Sequence, residues 1–263
     1  MNNQEILEIA LEQSAVDLNC RPIDLVGMEN RVVLSAANDG ARKYLELPFD
    51  CNLVSYGNNI VASVSPELAE PVKTYINSYP MEHCFETPNL HVLSRILEPH
   101  GLQICHMAEY FLPDVGRLRP LDIPCETRLL GPEDFRDLYR PEWSNALCEK
   151  RKRLDVLGVG AYMDGDLIGF AACSADCGGM WQIGIDVLPP FRRQGIASAL
   201  TSRLALEILD RGKVPFYCAA WSNIRSVRNA VRSGLRPAWV ELTAKSKAFV
   251  EEMNQPKGEH HAI

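Results

Sequence analysis

Apolar positions along this chain recur at two spacings, and the changes between them mark out the elements. Ile6, Leu7, Ala10 and Leu11 fall at helical spacing and predict a helix over residues 5–16. Arg31 to Ser35 reads as a short strand, and Asn52 to Val64 as two strands around the turn Gly57-Asn58-Asn59. Ser65-Pro66-Glu67 predicts a helix start, with Ser65 as N-cap and Pro66 in the first turn, running to about Asn77. Leu90, Leu93, Ile96 and Leu97 predict a second helix over residues 89–100, stopped by Gly101. Leu102 to Phe111 is strand-like.

Pro113, Gly116, Pro120 and Pro124 punctuate the next stretch, which has little periodicity and predicts a domain boundary. The expected division is an N-terminal α/β domain over 1–115, a linker over 116–124, a second domain over 125–250 and a tail over 251–263. In the second domain Glu126 to Leu130 reads as a strand, and Gly131-Pro-Glu-Asp opens a helical segment continuing in pieces to about Lys152. Residues 157–163 and 167–174 predict a hairpin turning at Asp164-Gly165. Trp181 to Val187 is the next strand. Ile196, Leu200, Leu204 and Ile208 then recur at helical spacing until Gly212. A strand over 214–221, a helix capped by Ser222-Asn223 and ended by Gly234, and a strand over 239–243 complete the pattern.

Composition changes this picture in two ways. Nine cysteines, odd in number and scattered, give neither metal-ligand spacing nor a disulfide framework, so reduced thiols in a cytoplasmic protein are expected. The start, Met1-Asn-Asn-Gln-Glu, has no basic or apolar signal-peptide region, and no apolar run approaches the ~18 residues of a membrane span. The net charge of −7 argues against a general nucleic-acid binder. Yet from Arg192 to Arg236 nine basic residues are opposed only by Glu207 and Asp210. That local excess suits a compact anionic ligand or a solvated basic face.

The stretch from Trp181 to Ala197 concentrates the candidate chemistry. An apolar strand ends at Pro189, and Arg192, Arg193, Gln194 and Gly195 form a turn that opens a long helix. Free N–H groups at a helix start point toward an anion, the helix dipole adds partial positive charge, and Gly195 allows close backbone approach. Competing phosphate motifs fail. Gly158-x-Gly160 is followed by Met163 where a dinucleotide fingerprint needs glycine, and there is neither a P-loop nor a Gly-x-Ser-x-Gly elbow.

The order strand, helix, hairpin, strand, turn, helix, strand, helix, strand resembles the GNAT acyltransferase superfamily. Arg192-x-x-Gly195-x-Ala197, following Val187-x-Pro189, is similar to that family's acyl-CoA motif, and Asn223-x-x-Ser226 with Gly234-Leu235 is similar to its second motif. The resemblance implies a mixed, mostly antiparallel central sheet with helices on both faces. It also implies acetyl-CoA as acyl donor. The backbone around Ile185 and Val187 would bond the pantetheine arm, and the N–H groups of Arg192, Arg193, Gln194, Gly195, Ile196, Ala197 and Ser198 would hold the pyrophosphate. Asn223 would bond the pantetheine or act as a plain N-cap, two compatible roles, and Ser226 would lie near its thiol half.

Catalysis is less defined. The family often places a proton-donating Tyr seven residues after the Asn, which here is Ala230, and bases on the preceding strand, which here are Ile183 and Trp181. Cys218, at another base position, is either a catalytic thiol or a small core residue. Asp176, Asp186 and Glu241 are further carboxylates near the motifs. The first half parallels the second: Ile60 to Pro66 matches Ile183 to Pro189, and Asn89 to Leu102 matches Asn223 to Leu235. Glu67 to Glu70 replaces the phosphate turn, so this half is either a GNAT-like copy without cofactor binding or an unrelated α/β piece. The expected function is an N-acetyltransferase acting on a small-molecule or peptide amine by direct transfer. It would be a monomer or homodimer, without metal, nucleic-acid or membrane partners. The alternative is a non-catalytic CoA-binding regulatory or scaffolding module.

Overall fold

In the computed structural model, which describes residues 1–255, the two apolar periods resolve into ten strands and six helices. In chain order these are α1 (Asn3–Leu18), β1 (Arg31–Leu34), β2 (Cys51–Ser55), β3 (Val61–Val64), α2 (Ala69–Ser78), α3 (Thr87–Leu97), β4 (Leu102–Pro113) and β5 (Glu126–Leu130). They continue as β6 (Asp155–Met163), β7 (Asp166–Ser174), β8 (Met180–Val187), α4 (Ile196–Asp210), β9 (Val214–Ala220), α5 (Ile224–Arg232), β10 (Leu235–Ser246) and α6 (Lys247–Met253). The fold is the mixed, mostly antiparallel α/β type that the sequence predicts.

Two compact units share the chain. One contains Met1–Ala10 and Phe111–Pro237; the other contains Leu11–Tyr110 and the described residues from Ala238 on. The expected division at 116–124 is linear, whereas these units each draw on separate segments.

In the first unit the strands run in the order β9-β8-β7-β6-β5, antiparallel except for the parallel pair β8 and β9. The β6–β7 turn uses Asp164 and Gly165 at φ 53° and 92°, the pair of left-handed residues that matches the twist of a two-residue hairpin. Strand alternation divides the core. Ala171 and Cys173 of β7 pack with Ile183 of β8 and with Ile196, Leu200 and Leu204 of α4. Phe170 and Ala172 face the other way, onto Phe135, Trp143, Ala146 and Leu147. The segment expected as helical pieces between Gly131 and Lys152 forms only short 3-10 turns, at Pro132–Phe135, Pro141–Trp143 and Glu149–Leu154.

In the second unit the order is β1-β3-β2-β10-β4, with β1 and β3 parallel, and β2 antiparallel to both β3 and β10. Val72, Tyr75 and Ile76 of α2 and Leu93 and Leu97 of α3 cover Leu53, Ala62 and Val64. Ser65 starts the α2 region, through a 3-10 turn at Pro66–Leu68, but makes no side-chain cap bond. No strand lies between α2 and α3, the place that β9 takes between α4 and α5, and the parallel neighbour of β3 is β1 from earlier in the chain. The strand expected over 239–243 extends through Leu235–Ser246, and α6 occupies 247–253, so the expected tail begins inside a helix. The rest of that tail, 256–263, lies outside the described residues.

Candidate functional site

Strands β8 and β9 pair only at Met180↔Val214, Trp181↔Pro215 and Gln182↔Phe216, and then part. Beyond this fork β8 runs on through Val187 while its other edge stays paired to β7 as far as Gly169↔Val187. Leu188 N donates to Ile168 O at 2.9 Å, so the backbone groups of residue 188 face β7. Successive residues alternate, which turns the N–H and C=O of Ile183, Ile185 and Val187 toward the parted side. An extended ligand can add to that edge as a strand would. Ile185 and Val187 thus lie on the parted edge, with the Val187 carbonyl already taken by the Arg192 side chain.

The strand leads into a short 3-10 turn at Pro189–Phe191 and then into α4. Arg193 and Gly195 both adopt left-handed backbone, at φ 67° and 85°. Alternating hand over successive residues gathers N–H groups into a concavity suited to an anion. The first helical bond of α4 runs from Ala199 N to Gly195 O at 3.1 Å, so Ile196, Ala197 and Ser198 precede it and their N–H groups have no partner within the helix. A Cβ at Gly195 would meet nothing within 4 Å, which leaves its face clear for a ligand. Arg192, Arg193, Gln194 and Gly195 are all exposed. The Arg192 Nε donates to Val187 O at 2.8 Å, folding the side chain back over the end of β8.

Asn223 is the N-cap of α5, with its side-chain oxygen accepting from Ser226 N at 3.2 Å. That leaves its Nδ2 group for a ligand. Ser226 Oγ lies 2.5 Å from the hydroxyl of Tyr217 on β9. Ser198 is turned inward, its Oγ donating to Asn229 Oδ1 at 3.1 Å, while Asn229 Nδ2 donates to Thr201 Oγ1 at 3.0 Å. Burial pushes the Tyr217 phenol pKa up, against the opposing effect of the neighbouring Ser226 and Asn229 side chains. Asn229 thus ties α5 to Ser198 and Thr201 of α4, while Ser226 is held to Tyr217 of β9. The sequence reading missed Tyr217 and Asn229, because only the facing of β9 against the two helices joins them.

The opposite face of β8 carries Gln182, Gly184 and Asp186. Asp186 accepts from Asn145 N at 2.9 Å, Asn145 Nδ2 at 2.6 Å and Ala146 N at 3.0 Å. A Cβ at Gly184 would fall 1.8 Å from Asn145 O, so only glycine lets that segment lie so close. Gln182 Nε2 donates to Cys218 Sγ at 3.2 Å across the fork, on the face opposite Tyr217. The other candidate carboxylates are committed. Asp176, fully buried, forms an ion pair with Arg151. Glu241 accepts from Arg42 Nη2 at 2.7 Å and Trp239 Nε1 at 2.9 Å. All nine cysteines are free thiols. Among the described residues no three His, Cys, Asp or Glu side chains gather as a metal site, and no helix is long and apolar enough to cross a membrane.

The GNAT acetyltransferase family model matches residues 127–236. Comparison with curated proteins returns no match. Among solved structures, the chain resembles a GCN5-related N-acetyltransferase from Sphaerobacter thermophilus at 14% identity and a TM-score of 0.48, over 92% of this chain and 93% of that one. It also resembles a GCN5-related N-acetyltransferase-like protein from Streptococcus suis, at 22% identity and a TM-score of 0.44, over 60% and 69% of the two chains. A third, a GCN5-related N-acetyltransferase from Kribbella flavida, has 18% identity and a TM-score of 0.44 over 64% of this chain. The chain spans 65% of that protein's length, just under two thirds. The segment that matches the GNAT acetyltransferase family model contains the fork, the Arg192–Ser198 turn and the capped α5.

Proposed function

We propose that the protein is an N-acetyltransferase that moves an acetyl group from acetyl-CoA to an amine by direct transfer in a ternary complex. The observation that carries this reading is the open edge of β8 past Gln182, leading without interruption into the left-handed turn at Arg193 and Gly195. An elongated ligand with an anionic end fits that arrangement. The pantetheine amides would pair with Ile185 and Val187, the pyrophosphate would sit on the N–H groups from Arg193 to Ser198, and Asn223 Nδ2 would donate from the facing side. To donate to Val187 O the arm must displace or share the Arg192 bond.

In this reading the amine attacks the thioester carbonyl at the fork, where an N–H of the same open edge steadies the oxyanion. The amine proton leaves to solvent or substrate, because Asp176, Asp186 and Glu241 are occupied by structural partners. Cys218 would line the fork on the face of Gln182. The free thiols suit a reducing, cytoplasmic setting. Either a monomer or a homodimer, acting on a small-molecule or peptide amine without metal, nucleic acid or membrane, is compatible with this site.

A second reading, a CoA-binding regulatory or scaffolding module, is favoured by those committed carboxylates and by the fully buried Ala230 on α5. The deciding experiment is calorimetry with acetyl-CoA, followed by release of free thiol in the presence of lysine, spermidine, glucosamine and tryptamine. Micromolar binding with thioester cleavage supports the enzyme. Binding without cleavage across the panel supports the module, and absence of binding below the millimolar range overturns both.

A further inference from the structure

We propose that the second unit carries a binding site of its own, a groove beside α3 that takes a small molecule with a phosphate or carboxylate head and an apolar body. Every residue of the groove lies within that unit, so the inference does not rest on the acyl-transfer reading.

The groove follows from how α3 is patterned and how it stops. Leu93 and Leu97 are fully buried in the core, while His91, Ser94, Arg95 and Glu98 share the opposite stripe and line the groove. Gly101, in left-handed backbone at φ 68°, ends this helical stretch and turns the chain into β4. Leu102 and Ile104 of β4 pack on the core of the unit and give the facing wall its apolar surface, and Gln103 adds an amide. Lys247, at the start of α6, is pinned beside the turn by its backbone N–H, which donates to Gly101 O at 2.8 Å. The space between these walls is about 460 Å³, within the range of small-ligand sites.

Charge decides what suits it. His91, Arg95 and Lys247 are opposed in the groove by Glu98 alone, in a chain whose net charge is −7. Among the described residues, the side chains of His91, Ser94, Arg95, Glu98 and Gln103 have no hydrogen-bond or ion-pair partner. Arg95 and Glu98, three positions apart on the helix, thus leave each other unpaired, and Lys247 meets Glu251 at 3.8 Å. Glu98 and Lys247 both stand at the Gly101 end, through Gly101 N to Glu98 O and Lys247 N to Gly101 O, so their charges offset there. The positive excess is left at the other end of the stripe. Three donors meet at that end: the Arg95 guanidinium, the Ser94 hydroxyl and a ring N–H of His91, which imidazole carries in either protonation state. A guanidinium fork grips two oxygens of one phosphate or carboxylate. The head belongs there, and the body lies along Leu102 and Ile104.

The test uses the full chain carrying Gly195→Asp, so that the turn at Arg193–Ser198 does not compete for anions. The probes are phenyl phosphate, benzoate and inorganic phosphate, and amide shifts of ¹⁵N-labelled protein locate the binding. Expected are saturable shifts confined to residues 91–104 and the start of α6, with a Kd of about 1 mM for the better aromatic probe. Phenyl phosphate against benzoate tells a phosphate head from a carboxylate. Inorganic phosphate should bind at least threefold more weakly than phenyl phosphate, and equal affinity would overturn the apolar half of the proposal. Arg95→Ala should weaken binding about tenfold, and Glu98→Gln should tighten it about twofold. Both residues are exposed, so Leu93 and Leu97 still anchor α3 in the variants. Absence of shifts at 91–104 with about 10 mM of every probe, or shifts that Arg95→Ala leaves unchanged, would overturn the site whatever acetyl-CoA does at the fork.

Discussion

Gly195 separates the conformational demand of the turn from its demand for an anion. At φ 85° a side chain is strained, yet a Cβ there would meet nothing within 4 Å. Gly195→Ala therefore costs only the left-handed penalty, roughly 1–2 kcal/mol, with no clash added. Asp tolerates left-handed backbone better than Ala does, so Gly195→Asp should be the more stable of the two variants. Its effect on binding is opposite. A carboxylate about 5 Å from a phosphate charge raises the energy by roughly 1–3 kcal/mol per unit charge, between bulk and near-surface screening. A pyrophosphate carrying two charges thus loses at least about 30-fold in affinity, and more at low salt. Thermal melts rank stability, and calorimetry with acetyl-CoA at two salt concentrations ranks affinity. The expected outcome is that Ala melts lower and binds better, while Asp melts higher and barely binds. An Asp variant with affinity within threefold of wild type would mean that the anion does not sit on this turn.

The remaining predictions test the supports of the site. Asp186→Ala removes the acceptor for Asn145 N, Asn145 Nδ2 and Ala146 N, charge-assisted bonds on a half-exposed segment. It should lower stability to urea by about 2–3 kcal/mol and speed amide exchange over residues 141–147, and a loss under 0.5 kcal/mol would contradict the anchoring role. Asn223→Ala should cost about 0.5–2 kcal/mol as a lost N-cap. Asn223→Asp keeps the accepting oxygen but lacks the Nδ2 donor, so it should retain stability and still lose CoA affinity; equal affinity would reduce Asn223 to a cap. Burial, aided by Lys245 and opposed by Glu46, holds the His106 pKa below its ordinary value. The neutral ring is thus the form that the fold favours, so its contribution is present above ~6.5 and is lost as pH falls through the folded value. His106→Gln should show a smaller drop in urea midpoint between pH 7.5 and 5.5 than wild type, and an equal drop would refute this account.

The parts of this fold that were legible in the sequence are those that short-range rules decide. Asp164-Gly165 makes a hairpin because both positions tolerate positive φ, and the β8–turn–α4 succession follows from an apolar strand, a proline and a glycine before a helical period. Gly131-Pro132 carries the same local marks of a helix start, yet the chain there forms only 3-10 turns. What holds part of that segment, at Asn145 and Ala146, is the Asp186 carboxylate, from a strand about forty positions later, and no local pattern announces it. The unit boundaries were hidden for the same reason: β10 pairs with β2 at Val240↔Ser55, so residues after 237 join a unit begun far upstream. In the N-terminal half the strand–proline–helix order of Ile60 to Ser78 is real, but β1 takes the parallel place beside β3 that no periodicity could assign.

The same distinction runs through the site itself. Its backbone half, from Met180 to Ser226, is nearly contiguous, and its requirements are conformational: an unpaired edge, two left-handed residues and a capped helix. Residues that meet such requirements are few in kind, which is why glycine, proline and asparagine mark them in the sequence. Proton transfer has no comparable backbone signature, because any carboxylate, thiol or hydroxyl qualifies until its partners are known. Asp176 with Arg151, Glu241 with Arg42 and Trp239, and Asp186 with Asn145 each look like a base in the sequence, and each proves to be half of a structural contact. The contact between the hydroxyls of Tyr217 and Ser226 is as silent in the sequence, since it exists only because β9 and α5 are folded against each other.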